Sequence, residues 1–148
     1  MVPRGLIIGI TVGVVAATIF GVFALTISSQ RQQLVFVEGP SLSIITEKMD
    51  FSVGENIKIT IINTGSKPLT FPDSSYGLQV VGLYGRILYS PIEAQVVSTL
   101  EPKEERTFVW DQTKNDGEQA LEGRYKIVSS ANYEGKDIKK SITVNILK

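Results

Sequence analysis

The sequence predicts an all-β sandwich of about seven to nine short strands, preceded by a single N-terminal transmembrane α-helix. Three observations carry that reading. Residues 5–27 form an apolar run with no charged side chain. Beyond residue 34, apolar residues recur at every second position, as in Ile57, Ile59 and Ile61 or Ile142, Val144 and Ile146. Period two marks a half-buried strand. Turn-forming Gly, Pro, Asn and Asp then punctuate the chain every 8–12 residues or so, with no helical period between them.

The apolar run comes first in the chain. As a helix it would be roughly 34 Å long, against about 30 Å for a bilayer core. Thr is its only polar residue type, and a Thr hydroxyl can bond back to a helix carbonyl. A cleaved signal has an apolar segment of only about 7–15 residues and ends at a small-x-small site. This run is longer, and Ala24-Leu25-Thr26 is a poor cleavage site, so an uncleaved anchor is expected. With no cysteine in the chain, a lipid-modified cysteine anchor is excluded. Gly5, Gly9, Gly13 and Gly21 share one four-residue register, with Ala17 filling the gap. Small residues in that register let helix backbones approach closely in lipid, so they form the candidate helix-packing face. The expected partners are membrane lipid and other transmembrane subunits, either a second copy or a different chain. Arg4 and Arg31 flank the run almost symmetrically. The short tail before it predicts a signal anchor, single-pass in the cell membrane, with the C-terminal domain extracytoplasmic.

The expected organisation is therefore a tail at 1–4, a transmembrane helix at 5–27, a juxtamembrane linker at 28–33 and a β-sandwich domain at 34–148. The domain is long enough to bury a core without disulfide staples. The full chain of 148 residues carries 15 basic and 15 acidic side chains. That balance leaves no basic patch, so no nucleic-acid partner is expected.

Within the domain, residues 34–37 are β-rich and end at the turn Glu38-Gly39-Pro40. Residues 41–46 alternate, with Leu42 and Ile44 on one face. Val53-Gly54-Glu55 turns the chain into a strand that points Ile57, Ile59 and Ile61 inward and Lys58 and Thr60 outward. Pro68 and Pro72 bracket 69–71, which predicts at most a short edge segment. Residues 78–84 and 86–90 read as a hairpin around Tyr84-Gly85, and 92–100 has room for one more short strand. Residues 105–110 place Phe108 and Trp110 on one face, and 111–117 is a polar loop. Residues 124–131 and 138–147 are the last two strands, joined by the turn Tyr133-Glu134-Gly135-Lys136.

Gly123 and Tyr125 have the form of a tyrosine corner, a Gly bend before a Tyr whose hydroxyl returns to nearby backbone. Trp110, the sole tryptophan, is expected to fill the centre of the sandwich. Around these residues stand Gly54-Glu55, Leu100-x-Pro102-x-Glu104, Phe108-x-Trp110-x-Gln112, Gly117 and Gly123-x-Tyr125. Together they resemble the family named for the BsuPI intracellular proteinase inhibitor, over residues 53–131. They are also similar to immunoglobulin-like modules of flagellar hook-cap proteins. The family pattern has Gly after the Pro, where Lys103 stands here. The resemblance implies an immunoglobulin-like sandwich, and the matching residues are corners and core.

Catalytic chemistry finds little support. There is no histidine, which removes the commonest general base and metal ligand. A serine nucleophile would need a lysine base, and no S-x-x-K stands in a helical context. The acids of 111–117 sit at the wrong offsets for a calcium loop, and a turn accounts for them. Glu104 and Glu105 point to opposite faces of a strand and cannot share a site. The chain is expected to be a non-catalytic accessory subunit without a cofactor. Tyr76, Tyr89 and Tyr133 mark the candidate contact loops, at 72–76, 89–92 and 132–136. A membrane-tethered protease inhibitor and an envelope or filament-linking protein are the alternatives.

Overall fold

The computed structural model describes residues 33–148. The predicted helix, with Gly5, Gly9, Gly13, Ala17 and Gly21, lies outside the described residues. Among the described residues no helix is long and apolar enough to cross a membrane.

The described part is all-β. Its strands are β1 (Leu42–Thr46), β2 (Asp50–Ser52), β3 (Ile57–Asn63), β4 (Leu69–Phe71), β5 (Gln79–Val81), β6 (Ile87–Tyr89), β7 (Ser98–Leu100), β8 (Glu105–Trp110), β9 (Gly123–Tyr133) and β10 (Lys136–Leu147). A 3-stranded sheet has the order β1-β3-β8, and a 7-stranded sheet runs β2-β10-β9-β4-β7 with the β5–β6 hairpin branching from β9. β2 pairs with β10 in parallel; the other strand pairs are antiparallel. The chain thus crosses from the small sheet in β1 to the large one in β2.

The inward residues of both sheets meet in one core. Leu42, Ile44, Ile57, Ile59, Ile61 and Trp110 come from the small sheet, and Leu69, Phe71, Val80, Ile127, Val144 and Ile146 from the large one. Their every-second-residue spacing is the pattern in the sequence, and apolar burial of this kind is the main favourable term in folding.

Three expectations are corrected. Residues 34–37 are not a strand: Val35 and Phe36 are exposed, and only the Val37 N–H reaches out, to the Thr64 carbonyl at 2.9 Å. Their β-branched composition has no neighbouring strand to pair with. β4 is not an edge segment, because it pairs with β7 on one side and touches β9 through Thr70↔Asn132 on the other. The flanking prolines fall just outside the strand, where they cost no ladder bond. Thr60 faces away from Ile59 and Ile61 but is buried rather than exposed, its hydroxyl meeting that of Thr107 at 3.2 Å across the β3–β8 pair. β2 is an unexpected strand, since with only three residues it is too short to show a period.

Candidate functional site

The residues expected to be structural occupy the middle of the domain. Trp110 is fully buried, and its indole N–H donates to the Thr113 carbonyl at 2.9 Å. Tyr89 stacks on it with ring centres 5.8 Å apart, and Tyr125 meets it edge-on at 6.0 Å. The Tyr125 hydroxyl donates to the Leu121 carbonyl at 2.6 Å, which closes the tyrosine corner. Gly123 begins that corner with φ 152°, a conformation that favours glycine.

The three tyrosines expected in contact loops sit differently. Tyr76, Tyr89 and Tyr133 are all half-buried and packed against the core. Tyr76 lies between Phe71 and Phe108, with ring centres 4.9 and 6.3 Å away. Their rings fill space inside, because each follows or ends a strand with its side chain on the inward face. Tyr84, at the tip of the β5–β6 hairpin, is instead exposed, 99% accessible beside Leu83 at 74%. The Tyr84-Gly85 turn was legible in the sequence; its exposure to solvent was not.

Two buried amides hold the irregular parts together. Gln112 is fully buried, and its carbonyl accepts from the Gly54 N–H at 2.8 Å. Its amide donates to the Ser52 and Glu55 carbonyls at 2.8 and 2.9 Å. Gln112 therefore joins Gly54-Glu55 to Phe108-x-Trp110-x-Gln112, two motifs separate in sequence. Asn63, also fully buried, donates to the Lys67 and Leu100 carbonyls at 2.8 Å each and accepts from the Gly65 N–H at 3.0 Å. Lys103 adopts φ 69° in the turn that follows, and its N–H donates to the Asn63 carbonyl at 2.9 Å. That left-handed conformation is the physical reason a glycine would suit the position.

The acids of the 111–117 loop brace their own turn. An Asp111 carboxylate oxygen accepts from the Thr113 N–H, and one of Asp116 from the Glu118 N–H, both at 2.9 Å. Lys114 pairs with Glu118 at 2.9 Å and Asp116 at 3.6 Å. Its bond to Glu118 raises the Lys114 pKa, and the Glu118 N–H lowers that of Asp116. Among the described residues no group of His, Cys, Asp and Glu is arranged to hold a metal ion.

A concavity lies on the outer face of the large sheet. The β5–β6 hairpin rises beside β9 and encloses a groove of about 580 Å³. Val81, Leu83 and Ile87 form its apolar wall, and Arg124, Lys126 and Lys139 bring cations from β9 and β10. No carboxylate lines it, and none of the three cations is in an ion pair with another described residue. Its size is that of an ordinary small-ligand site, roughly 300–1,000 Å³. Its chemistry suits an anionic group with an apolar portion.

No family profile matches the sequence, and no curated protein matches it. Among solved structures, a mutant β-glucosidase from Listeria innocua in complex with laminaribiose aligns with 12% identity and a TM-score of 0.34, over 74% of this chain and 16% of that enzyme. The same enzyme in complex with isofagomine aligns with 13% identity and a TM-score of 0.33, over 72% of this chain and 16% of the enzyme. The chain thus spans well under a fifth of the length of those enzymes.

Proposed function

We propose that the chain is a non-catalytic, single-pass membrane accessory subunit. Its N-terminal helix packs into a larger membrane complex, and its β-domain makes protein contacts outside the cytoplasm. The observation that carries this reading is the uncharged 5–27 run with Gly5, Gly9, Gly13, Ala17 and Gly21 in one four-residue register. The domain supports it from the other side. Its buried polar groups serve structure, and its exposed Tyr84 stands at the tip of the hairpin that walls the groove lined by Arg124; Tyr and Arg are residue types enriched at contact surfaces.

The domain itself we read as immunoglobulin-like. Support comes from the parallel β2–β10 pair, the crossing of the chain from one sheet to the other, and the Tyr125 corner next to the buried Trp110.

Co-purification from native membranes in mild detergent tests the function. A stoichiometric membrane partner is expected, and Gly9→Leu with Gly13→Leu should reduce its recovery about tenfold or more by blocking close backbone approach. Unchanged recovery with both substitutions would remove the helix face from the proposal. A chain that purifies alone and inhibits a protease tightly would replace the proposal with the tethered-inhibitor reading.

A further inference from the structure

β10 pairs with β9 along nearly its whole length, from Lys136↔Tyr133 to Ile146↔Gly123. Its other edge meets β2 only at Asn145, Ile146 and Leu147. Residues 136–144 therefore present an edge with no strand partner among the described residues. At about 3.3 Å per residue that is roughly 30 Å of backbone. The outer strands of the small sheet, β1 and β8, have only 5 and 6 residues.

The hydrogen bonds at the paired end fix which groups face the open edge. The Asn145 N–H donates to the Met49 carbonyl at 2.8 Å, and the Leu147 carbonyl accepts from the Val53 N–H at 2.9 Å. Odd-numbered residues thus turn their backbone groups toward the β2 side. By strand alternation Asp137, Lys139, Ser141 and Thr143 aim theirs at the open edge, and Ile138, Lys140 and Ile142 bond to β9.

The side chains beside the edge restrict what can add there. Ile138 and Ile142 pack against the core but are only half-buried, so an added strand would complete their burial. Lys139 and Lys140 are exposed, one on each face, with no ion pair to another described residue. Lysine on an edge discourages indiscriminate strand pairing, whereas an acidic strand would set opposite charges across from Lys139 and Lys140 and so offset that barrier.

We propose that this edge receives an extended acidic segment of a protein partner as an additional strand beside β10. The proposal rests on the reading of the domain as a protein-contact module. Main-chain bonds from Lys139, Ser141 and Thr143 hold the segment. Carboxylates opposite Lys139 and Lys140, and apolar side chains opposite Ile138 and Ile142, select it.

The test uses the full chain in detergent micelles and a defined probe, the capped peptide Thr-Val-Thr-Glu-Glu-Val-Lys. This peptide matches residues 143 to 137 in antiparallel register. Binding is followed by fluorescence anisotropy and by amide exchange resolved residue by residue. The peptide should slow exchange at Lys139, Ser141 and Thr143 about tenfold or more, while Lys140 and Ile142, already bonded to β9, stay unchanged. Ser141→Pro removes an edge-facing N–H and should weaken binding about tenfold with the fold intact. Should that variant fail to fold, the double change Lys139→Glu and Lys140→Glu serves instead. It should lose the peptide and gain one with Lys-Lys in place of Glu-Glu, by about tenfold each way.

Equal binding of the two peptides by the unaltered chain would overturn the proposal, as would binding that leaves the odd-numbered amides unprotected. Protection that rises with chain concentration without peptide would assign the edge to a second copy and also overturn it. None of these results touches the helix, so the accessory-subunit reading stands or falls separately on co-purification.

Discussion

The β9–β10 hairpin and the region from β4 to β7 are held together in different ways. β9 and β10 have 11 and 12 residues, pair in continuous register and join through Glu134-Gly135. β4, β5, β6 and β7 have 3 residues each, and long irregular segments separate them. In the hairpin, the backbone ladder and an alternating apolar face do the holding. In the short-strand region, side chains do it: Asn63 spans to Leu100, Tyr76 lies between Phe71 and Phe108, and the Ser129 hydroxyl donates to the Tyr76 carbonyl at 2.7 Å. A long ladder tolerates the loss of one contact, whereas a strand of three residues relies on each of its few anchors.

The sharpest way to break that contrast is to remove an amide anchor. Asn63→Ala deletes three hydrogen bonds, two of them to the buried Leu100 carbonyl and Gly65 N–H. Each buried group left unpaired costs about 1–3 kcal/mol, so a loss of about 3 kcal/mol is expected in chemical denaturation. Gln112→Ala should cost less, about 2 kcal/mol, because its partners at Ser52 and Gly54 lie nearer solvent. The exchange of the 67–71 and 98–104 amides should rise in the Asn63 variant while β9 and β10 stay protected. Uniform loss of protection would mean that the two regions unfold as one unit.

The same contrast separates what the sequence revealed from what it hid. β3, β8, β9 and β10 were legible because each runs long enough to show period two, and Trp110 and Tyr125 stand where their chemistry places them. β2 and the interior position of β4 were hidden, since three residues carry no period and pairing depends on strands distant in the chain. Gln112 and Asn63 look like ordinary loop and turn residues; only the fold shows that their amides close gaps between elements. Tyr76, Tyr89 and Tyr133 are ambiguous for a related reason: a Tyr near a turn suits either a contact or a core edge, and sequence spacing does not distinguish them. The cationic groove escaped notice because Arg124 and Lys126 lie more than ten residues from Lys139 and far from Val81 and Ile87, which the fold brings beside them.

A smaller effect is expected in the hairpin. Gly135 has φ 78° in the turn, and its N–H donates to the Asn132 side-chain carbonyl at 3.0 Å. An alanine there strains the backbone by about 1 kcal/mol. The continuous ladder on both sides should hold the register, so Gly135→Ala should lower stability by about that amount and leave the pattern of protected amides unchanged. A register shift in the amide pattern would show that the turn, rather than the alternating face, sets the pairing.

The smallest effect concerns pH, and it falls on the aromatic cluster between the two regions. Burial raises the Tyr89 pKa above its ordinary 10.0, with the Asp111 and Glu93 charges adding to the rise. Burial also raises that of Tyr125, against the opposing influence of Lys114 and the bond to Leu121. Both phenols are thus held neutral in the fold. The stability this gives is fully present below the ordinary value and is lost as pH climbs through the raised folded values. Denaturation midpoints of the full chain in micelles should hold up to the ordinary tyrosine value of 10.0 and fall as pH rises above it. Tyr125→Phe removes one titrating phenol and its bond to the exposed Leu121 carbonyl, which water can replace, so the variant should lose about 1 kcal/mol at neutral pH. In exchange it should show a shallower alkaline fall, and Tyr89→Phe should do the same. An alkaline fall as steep in the double variant as in the parent would place the sensitivity outside the aromatic cluster.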